Sequence, residues 1–205
     1  MGYDDYYEKM ESLWAKKYPS VSSVEEVEAF YKECGMENPL NELVKRFIEN
    51  PKLKFRNNRL LDFGCDNGIM LNWFKGFGLE LYGVDINDDS IAKGEVLFPE
   101  FILAQSEWVE IPYEDDYFDI VFASAVLKHI RYKDRKELYN EFARVARYIL
   151  VWEKNSDQKR VEKMEGFNFY NSNFKTELAR NFDQLDLVEI GDDIYGLYEV
   201  KAENR

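Results

Sequence analysis

Two glycines four residues apart follow a short apolar run in the segment RLLDFGCDNGIML, residues 59–71. Glycine has no Cβ and tolerates positive φ, so a strand can turn sharply into a helix there while its backbone N–H groups approach a ligand. On this interpretation Gly64 lets the ligand approach and Gly68 lets the next helix pack closely. The N-terminus of that helix would attract an anionic group. The turn is therefore predicted to hold a ligand against its backbone.

An acidic residue, Asp85, ends the next apolar run, LYGVD, about twenty residues after the turn. In a doubly wound sheet, a carboxylate at that position accepts hydrogen bonds from the hydroxyls of a ribose. A dinucleotide is the alternative ligand, but its fingerprint is G-x-G-x-x-G, whereas this turn reads GCDNG. The anionic Asp66 would repel a pyrophosphate, so an adenosine that carries a zwitterionic amino-acid tail fits better.

The elements that would position these residues are short β-prone runs that alternate with helical periods from residue 59 onward. This alternation is typical of crossover units and a mainly parallel α/β sheet. The predicted strands lie near 59–64, 80–85, 101–105, 118–124, 148–153, 186–190 and 194–201. The predicted helices lie near 68–76, 89–97, 134–147 and 173–182. The last two strands should pair as a hairpin, Asp134 and Glu137 should cap the third helix, and the charged stretch KNSDQKRVEKMEG is read as a connection.

Helical patterns precede the first strand, so we predict an N-terminal helical cap over residues 1–56 and a core over 57–205. Ser23 and Glu26 form a capping box at the start of one helix. Aromatic residues in the cap are candidates for a lid over the substrate: Tyr6, Tyr7 and Trp14.

Composition limits the possible partners and the possible chemistry. There are 27 Lys and Arg against 40 Asp and Glu, giving a formal net charge of -13, so neither nucleic acid nor a membrane is expected as a partner. Without a long apolar run or a signal-like start, the chain is expected to be cytoplasmic. Two distant cysteines and a single histidine predict no metal site. Cys65 is interpreted as a small filler rather than a nucleophile.

Four segments together resemble the class I S-adenosylmethionine-dependent methyltransferases, particularly the small-molecule group similar to methyltransferase type 11. They are the glycine turn, the segment that ends in Asp85, and the later segments AQSEWVEIPY and FDIVFASAVLKHI. The resemblance covers residues 58–154 by motif and reaches residue 201 by strand order. It implies a Rossmann-like, seven-stranded sheet with an antiparallel last strand and helices on both faces. It also implies S-adenosyl-L-methionine as cofactor and S-adenosyl-L-homocysteine as product.

The resemblance assigns roles to particular residues. The segment LLDFGCDNG is similar to the family's first motif, which places Asp62 near the methionine amino group. The segment VDIND is similar to the family's second motif, which places Asp85 on the ribose hydroxyls. Ser124 would offer its carbonyl to the ammonium, residues 125–129 would line the methyl side, and Trp108 would be a neighbour of adenine. The implied cofactor-binding residues are Asp62, Gly64, Cys65, Asp66, Gly68, Asp85, Ile86, Gln105, Ser106 and Ser124.

The chain departs from the family pattern in three places. Asp66 replaces the usual middle glycine, and Gln105 replaces the usual acid, so an amide oxygen would hold the adenine amino group. The segment ARVARYILVWE lacks the Pro-Gly-Gly turn of many relatives, which predicts a tight connection between helix and fifth strand.

Methyl transfer is an in-line displacement that mainly requires alignment in a dry pocket. If the acceptor is a hydroxyl or a protonated amine, a base is useful, and His129 is the candidate because histidine titrates near neutral pH. The alternative is that His129 begins the next helix or packs against the cofactor. Glu153 is the second candidate, against the alternative of an ordinary surface carboxylate.

The predicted acceptor is a small molecule. The exit loop reads ASAV rather than the Asp/Asn-Pro-Pro-aromatic run of enzymes that methylate base or glutamine amino groups. We therefore expect transfer to an oxygen of a sugar, metabolite or biosynthetic intermediate, with Phe167, Phe169 and Tyr170 as further lid candidates. A catalytically silent regulatory or scaffold protein that binds S-adenosylmethionine is the alternative. Neither the acceptor atom nor the oligomeric state follows from the sequence.

Overall fold

The strands of this computed structural model form one large sheet and one small one. The structure describes residues 23–26, 29, 40–164 and 166–204. The strands are β1 (Arg59–Phe63), β2 (Glu80–Asp85), β3 (Ile102–Gln105), β4 (Phe118–Ser124), β5 (Ala146–Lys154), β6 (Arg160–Met164), β7 (Phe167–Asn171), β8 (Phe182–Ile190) and β9 (Asp193–Val200). The large sheet has the order β3-β2-β1-β4-β5-β9-β8, and β6 pairs with β7.

The large sheet begins with five parallel strands, in the spatial order β3, β2, β1, β4 and β5. The strand β9 is antiparallel to both of its neighbours, β5 and β8. The predicted α/β class, the antiparallel last strand and the final hairpin are therefore confirmed. The central strand β4 is buried at every position, as expected for a parallel strand that is covered on both faces.

The helices are α1 (Leu40–Ile48), α2 (Asp88–Leu97), α3 (Arg135–Val145) and α4 (Phe174–Asn181). Two buried clusters cover the two faces of the sheet. One contains α3 and α4 residues such as Phe142 and Phe174, and the other contains α1 and α2 residues such as Phe47 and Ile91. Helices on both faces are thereby confirmed, and β5 begins directly after α3, which confirms the tight connection.

The described part of the predicted cap contacts the sheet. Val44, Phe47 and Ile48 of α1 are buried, and the Arg46 guanidinium donates two hydrogen bonds to the Asp186 carboxylate on β8, at 2.7 and 2.8 Å. The backbone N–H of Glu26 donates to the Ser23 hydroxyl at 3.3 Å, as the capping box predicts. The lid candidates Tyr6, Tyr7 and Trp14 lie outside the described residues, so the lid and the boundary near residue 57 stay predictions.

Three local predictions were wrong. The helix predicted at 68–76 is a 3-10 helix, Ile69–Phe74, because the segment is short, contains Asn and Trp, and runs into two positive-φ glycines. Asp134 has helical φ and ψ and makes no side-chain cap bond. Its carboxylate instead accepts a hydrogen bond from the Arg131 guanidinium.

The third wrong prediction concerns the charged stretch and the segment with Phe167, Phe169 and Tyr170, where we expected a connection and a loop. The structure has a hairpin there, in which β6 pairs with β7. Every described residue of β6 is exposed, so the strand has no apolar alternation for the sequence to reveal. The hairpin is held from one side, where the Tyr132 hydroxyl donates to the Asn171 carbonyl oxygen at 2.7 Å and Phe167 is buried.

A buried carboxylate joins β4 to the segment before β1. The Asp119 side chain is 2% exposed and accepts hydrogen bonds from the backbone N–H groups of Arg56, Asn57 and Arg59, at 2.7, 3.0 and 3.2 Å. It therefore fixes the entry to the central strands that carry the glycine turn. Within the described residues, no helix combines the length and apolar character needed to cross a bilayer.

Candidate active site

The turn after β1 needs glycine at its first position for two reasons. Gly64 has φ 77°, which side chains disfavour, and a Cβ there would lie 2.7 Å from Val126 Cγ2. The N–H groups of Gly64 and Cys65 both donate to the Val84 carbonyl oxygen, at 2.8 and 3.1 Å. The end of β1 is thereby held against the end of β2.

Close packing continues behind the turn. A Cβ on Gly83 would lie 2.7 Å from Cys65 Sγ, and one on Gly94 of α2 would lie 2.6 Å from the Asn67 carbonyl oxygen. Cys65 is 3% exposed, and burial raises the pKa of its thiol well above the usual value. A neutral buried thiol agrees with the filler interpretation rather than with a nucleophile.

Asp66 takes the position of the missing middle glycine without losing the turn, because its φ is 51°. Asp and Asn adopt this left-handed region more readily than other side chains do. The Asp66 N–H donates to Asp85 Oδ2 at 2.9 Å, and Asp85 Oδ1 accepts from the Asn87 N–H, also at 2.9 Å. The carboxylate at the end of β2 thus braces the turn after β1.

Negative charge is concentrated at this end of the sheet. Burial, and next the charge of Asp66, raise the pKa of Asp85 to about 6. Asp62 is 1% exposed, and burial followed by the charges of Asp85 and Asp66 raises its pKa well above the ordinary range. Among the described residues, Asp62 Oδ2 and Ser124 Oγ have no hydrogen-bond partner. A buried acceptor without a partner suits a cationic donor such as an ammonium group.

A cavity of about 320 Å³ opens in front of the turn. Most of the predicted cofactor residues lie on its wall, together with Trp108 and four of the five residues predicted for the methyl side: Gly64, Cys65, Asp66, Asp85, Ile86, Ser106, Trp108, Ser124, Ala125, Val126, Lys128 and His129. The fifth, Leu127, is fully buried and is absent from this wall. The wall also contains residues that the sequence reasoning did not single out: Phe63, Met70, Val84, Asn87, Ile130 and Met164. Met70 and Met164 carry no motif, so only the fold brings them here.

Three predicted cofactor residues do not lie on this wall. Asp62 lies within β1 and is 1% exposed. Gly68, with φ 80°, approaches Leu103, to which a Cβ would lie 3.4 Å away. Gln105 is exposed, and its Nε2 donates to the Ile86 carbonyl oxygen at 3.0 Å. Gln105 therefore orients the strand end that carries Ile86.

His129 lies on the cavity wall and is 4% exposed. It ends a short 3-10 turn, Leu127–His129, that follows Ala125, whose φ of 54° turns the chain sharply out of β4. The imidazole centroid lies 4.9 Å from that of Phe169 and 6.1 Å from that of Phe167. Of the aromatic lid candidates on β7, Phe169 reaches the wall, whereas Phe167 and Tyr170 do not.

Glu153 is placed differently from the prediction. It is 1% exposed and absent from the cavity wall, and its carboxylate accepts from the N–H groups of Lys128 and Lys154, at 3.3 and 3.2 Å. Lys128 Nζ lies 4.0 Å from Glu153 Oε1. Burial raises the pKa of Glu153 against the opposing effect of Lys128. Glu153 thus contacts the backbone and side chain of Lys128, which does reach the cavity.

Comparisons with known proteins agree with this geometry. Residues 61–148 match the protein family described as "Methyltransferase domain". YxjB of Bacillus subtilis, a protein provisionally named as a 23S rRNA (guanine-N(1)-)-methyltransferase, is 30% identical over 96 residues, which are 44% of this chain and 34% of that protein. The chain thus spans about a third of the length of this curated relative.

Two solved structures share the fold over nearly the whole chain. The 1,6-didemethyltoxoflavin-N1-methyltransferase of Burkholderia thailandensis has a TM-score of 0.73 at 13% identity, covering 98% of this chain and 91% of that one. Its structure contains 1,6-didemethyltoxoflavin and S-adenosylhomocysteine. The PH0226 protein of Pyrococcus horikoshii has a TM-score of 0.68 at 17% identity, covering 98% and 100%.

Proposed function

We propose that this chain, which carries a class I S-adenosylmethionine-dependent methyltransferase domain, uses that cofactor to methylate an oxygen of a small polar molecule. The observation that carries the proposal is the cavity in which the turn at Gly64, the acid Asp85 and the buried His129 meet. When bound, the cofactor supplies a methyl group on a sulfonium.

The described residues fit the cofactor in four ways. Asp85 keeps lone pairs for the ribose hydroxyls beyond those that accept the two backbone N–H groups. Ser124 lies on the cavity wall, and its buried hydroxyl oxygen, which has no partner among the described residues, suits the methionine ammonium. The half-buried Ile86 and Trp108 offer apolar contact to the adenine. Asp66 adds negative charge near a ligand that carries positive charge.

The exit loop of β4 would then work on the acceptor. Ala125, Val126 and His129 lie on the cavity wall, and the His129 imidazole would accept the proton that the acceptor hydroxyl loses. Cys65, as a buried neutral thiol, has no part in the transfer.

Calorimetric titration with S-adenosylmethionine and S-adenosylhomocysteine tests the cofactor assignment. We expect micromolar binding that Asp85→Ala weakens by about 1.4 kcal/mol or more, a factor of ten. The matched control is Asp89→Ala, which removes an exposed carboxylate four residues along the chain. Absence of binding by the unmodified protein would refute the proposal.

Methylation of an RNA base is the second candidate, because the Bacillus relative bears an RNA methyltransferase name. The net charge of -13 opposes it, since such a field repels a phosphate backbone. Incubation with methyl-labelled cofactor and total RNA separates the two candidates. Label in RNA favours methylation of an RNA base. If the label is on a small product, the ¹³C chemical shift of the transferred methyl group shows whether the acceptor atom is oxygen or nitrogen.

A further inference from the structure

A second cavity, of about 660 Å³, adjoins the first along the β6–β7 hairpin. Among the described residues, three line both cavities: Lys128, Met164 and Phe169. They form the boundary between the two spaces, which we call the throat. A methyl group that leaves the first cavity for a molecule in the second must pass these side chains.

The wall of the second cavity carries three cationic and four anionic side chains, and two ion pairs form between them. Arg160 lies 2.7 Å from Glu162, and Lys154 lies 3.9 Å from Asp192. A ligand with one strong charge would therefore meet groups of its own sign on this wall. A neutral molecule with many hydroxyl groups can both donate to the carboxylates and accept from the cations.

The throat offers such a molecule an apolar surface and one cation. The Phe169 ring can pack against the C–H face of a sugar or cyclic polyol, because aromatic rings supply large rigid contact surfaces. Lys128 Nζ lies 5.9 Å from the Phe169 centroid and 4.0 Å from Glu153 Oε1, and the lysine side chain is 22% exposed. Glu153 is fully buried, so it can hold Lys128 in place without contacting a ligand.

We propose that the second cavity is the acceptor site, that the acceptor is a neutral, hydroxyl-rich molecule of the sugar or polyol class, and that Lys128 binds its reacting oxygen. This inference rests on the proposed function. The acceptor oxygen forms a bond to the methyl carbon while the carbon–sulfur bond breaks and its electron pair stays on sulfur. The hydroxyl proton passes to His129, and Glu153 acts as a positioning residue through Lys128.

The test uses methyl-tritiated S-adenosylmethionine and three sets of acceptors. The neutral set is galactose, rhamnose, trehalose and myo-inositol, the anionic set is glucose 6-phosphate, gluconate and glucuronate, and the third is unfractionated tRNA. Label is expected on a member of the neutral set. The proposed acceptor class is overturned if label appears only on the anionic set or on tRNA. It is also overturned if the protein binds the cofactor but transfers label to none of the three sets. Failure to bind the cofactor instead refutes the proposed function.

Variants then test Lys128 on the labelled acceptor. Lys128→Met should raise the KM for the acceptor about tenfold or more while the Kd for S-adenosylmethionine changes less than about twofold. Lys128→Arg should restore part of the loss, and Glu153→Gln should raise the acceptor KM in the same direction. Lys136→Met is the control, because Lys136 is exposed and lies on neither wall. An unchanged acceptor KM in Lys128→Met would overturn the role of Lys128.

Discussion

Substitution of Gly64 by alanine tests whether the glycine turn is needed for its backbone conformation, for its close contact, or for both. At φ 77° a Cβ costs roughly 1–2 kcal/mol in conformational strain. The new Cβ would also lie 2.7 Å from Val126 Cγ2, and overpacking of this kind costs about 1–3 kcal/mol. The expected loss in the free energy of unfolding is therefore about 2–5 kcal/mol.

Gly78 separates the two contributions. Its φ is 71°, close to that of Gly64, but a Cβ there would meet no described atom within 4 Å. Gly78→Ala should therefore cost only the conformational part, about 1–2 kcal/mol. Val126→Ala in the Gly64→Ala background removes Cγ2 and should recover most of the steric part, although Val126 Cβ at 3.1 Å remains close.

Urea denaturation of the unmodified protein, the two single variants and the double variant, with Gly78→Ala alongside, gives the coupling between Gly64 and Val126 as a double-mutant cycle. We expect a coupling of about 1–3 kcal/mol. If Gly64→Ala costs no more than Gly78→Ala, or if the cycle shows no coupling, the close contact does not contribute and the reasoning about the turn is wrong. Val126 lies on the cavity wall, so cofactor affinity should fall together with stability in Gly64→Ala.

Three further predictions concern carboxylates. Because the pKa of Asp85 in the folded chain is about 6, above the ordinary value near 4, the folded state holds more protons between pH 4 and 6. The free energy of unfolding of the unliganded protein should therefore decrease as pH rises through this range, and it should decrease less in Asp85→Asn. The affinity for S-adenosylmethionine, measured by calorimetry, should instead fall as pH drops below 6. Asp66→Asn keeps a residue that tolerates positive φ but removes the charge, so the calorimetric preference for the sulfonium cofactor over its neutral product should shrink by about three- to tenfold, most at low salt. Asp119→Ala leaves three backbone N–H groups without their acceptor and should cost about 2–4 kcal/mol in urea denaturation, with Asp119→Asn costing less.

The sequence was sufficient for the large sheet and for the glycine turn because both rest largely on local patterns. β4 is apolar at five of its seven positions, and the positive φ of Gly64 is a local reason for glycine. The close contact with Val126, by contrast, arises only in the folded chain. Asp66 shows the limit of this reasoning. Its charge was visible in the sequence, but its ability to replace a glycine became clear only from its φ of 51°.

The hairpin and the base candidates could not be predicted in the same way. β6 is exposed on all described positions, so no burial pattern marked it as a strand. Glu153 could be placed at the end of β5, but whether its carboxylate reached the crevice depended on the short turn that contains Lys128. That turn places the lysine over the glutamate and exposes the lysine to both cavities.

The two proposed parts of the site therefore depend on different parts of the chain. The proposed cofactor site is built from the ends of β1, β2 and β4, which are neighbours in the sheet and fixed by backbone hydrogen bonds. The proposed acceptor site adds the β6–β7 hairpin and the segment between β8 and β9, whose exposed polar side chains contribute little to the core. Arg160 and Glu162 of the hairpin line the second cavity and not the first, so changes at these positions can alter the acceptor without disturbing cofactor binding. An Arg160→Ala variant should accordingly retain the affinity for S-adenosylmethionine while it changes which acceptors are methylated.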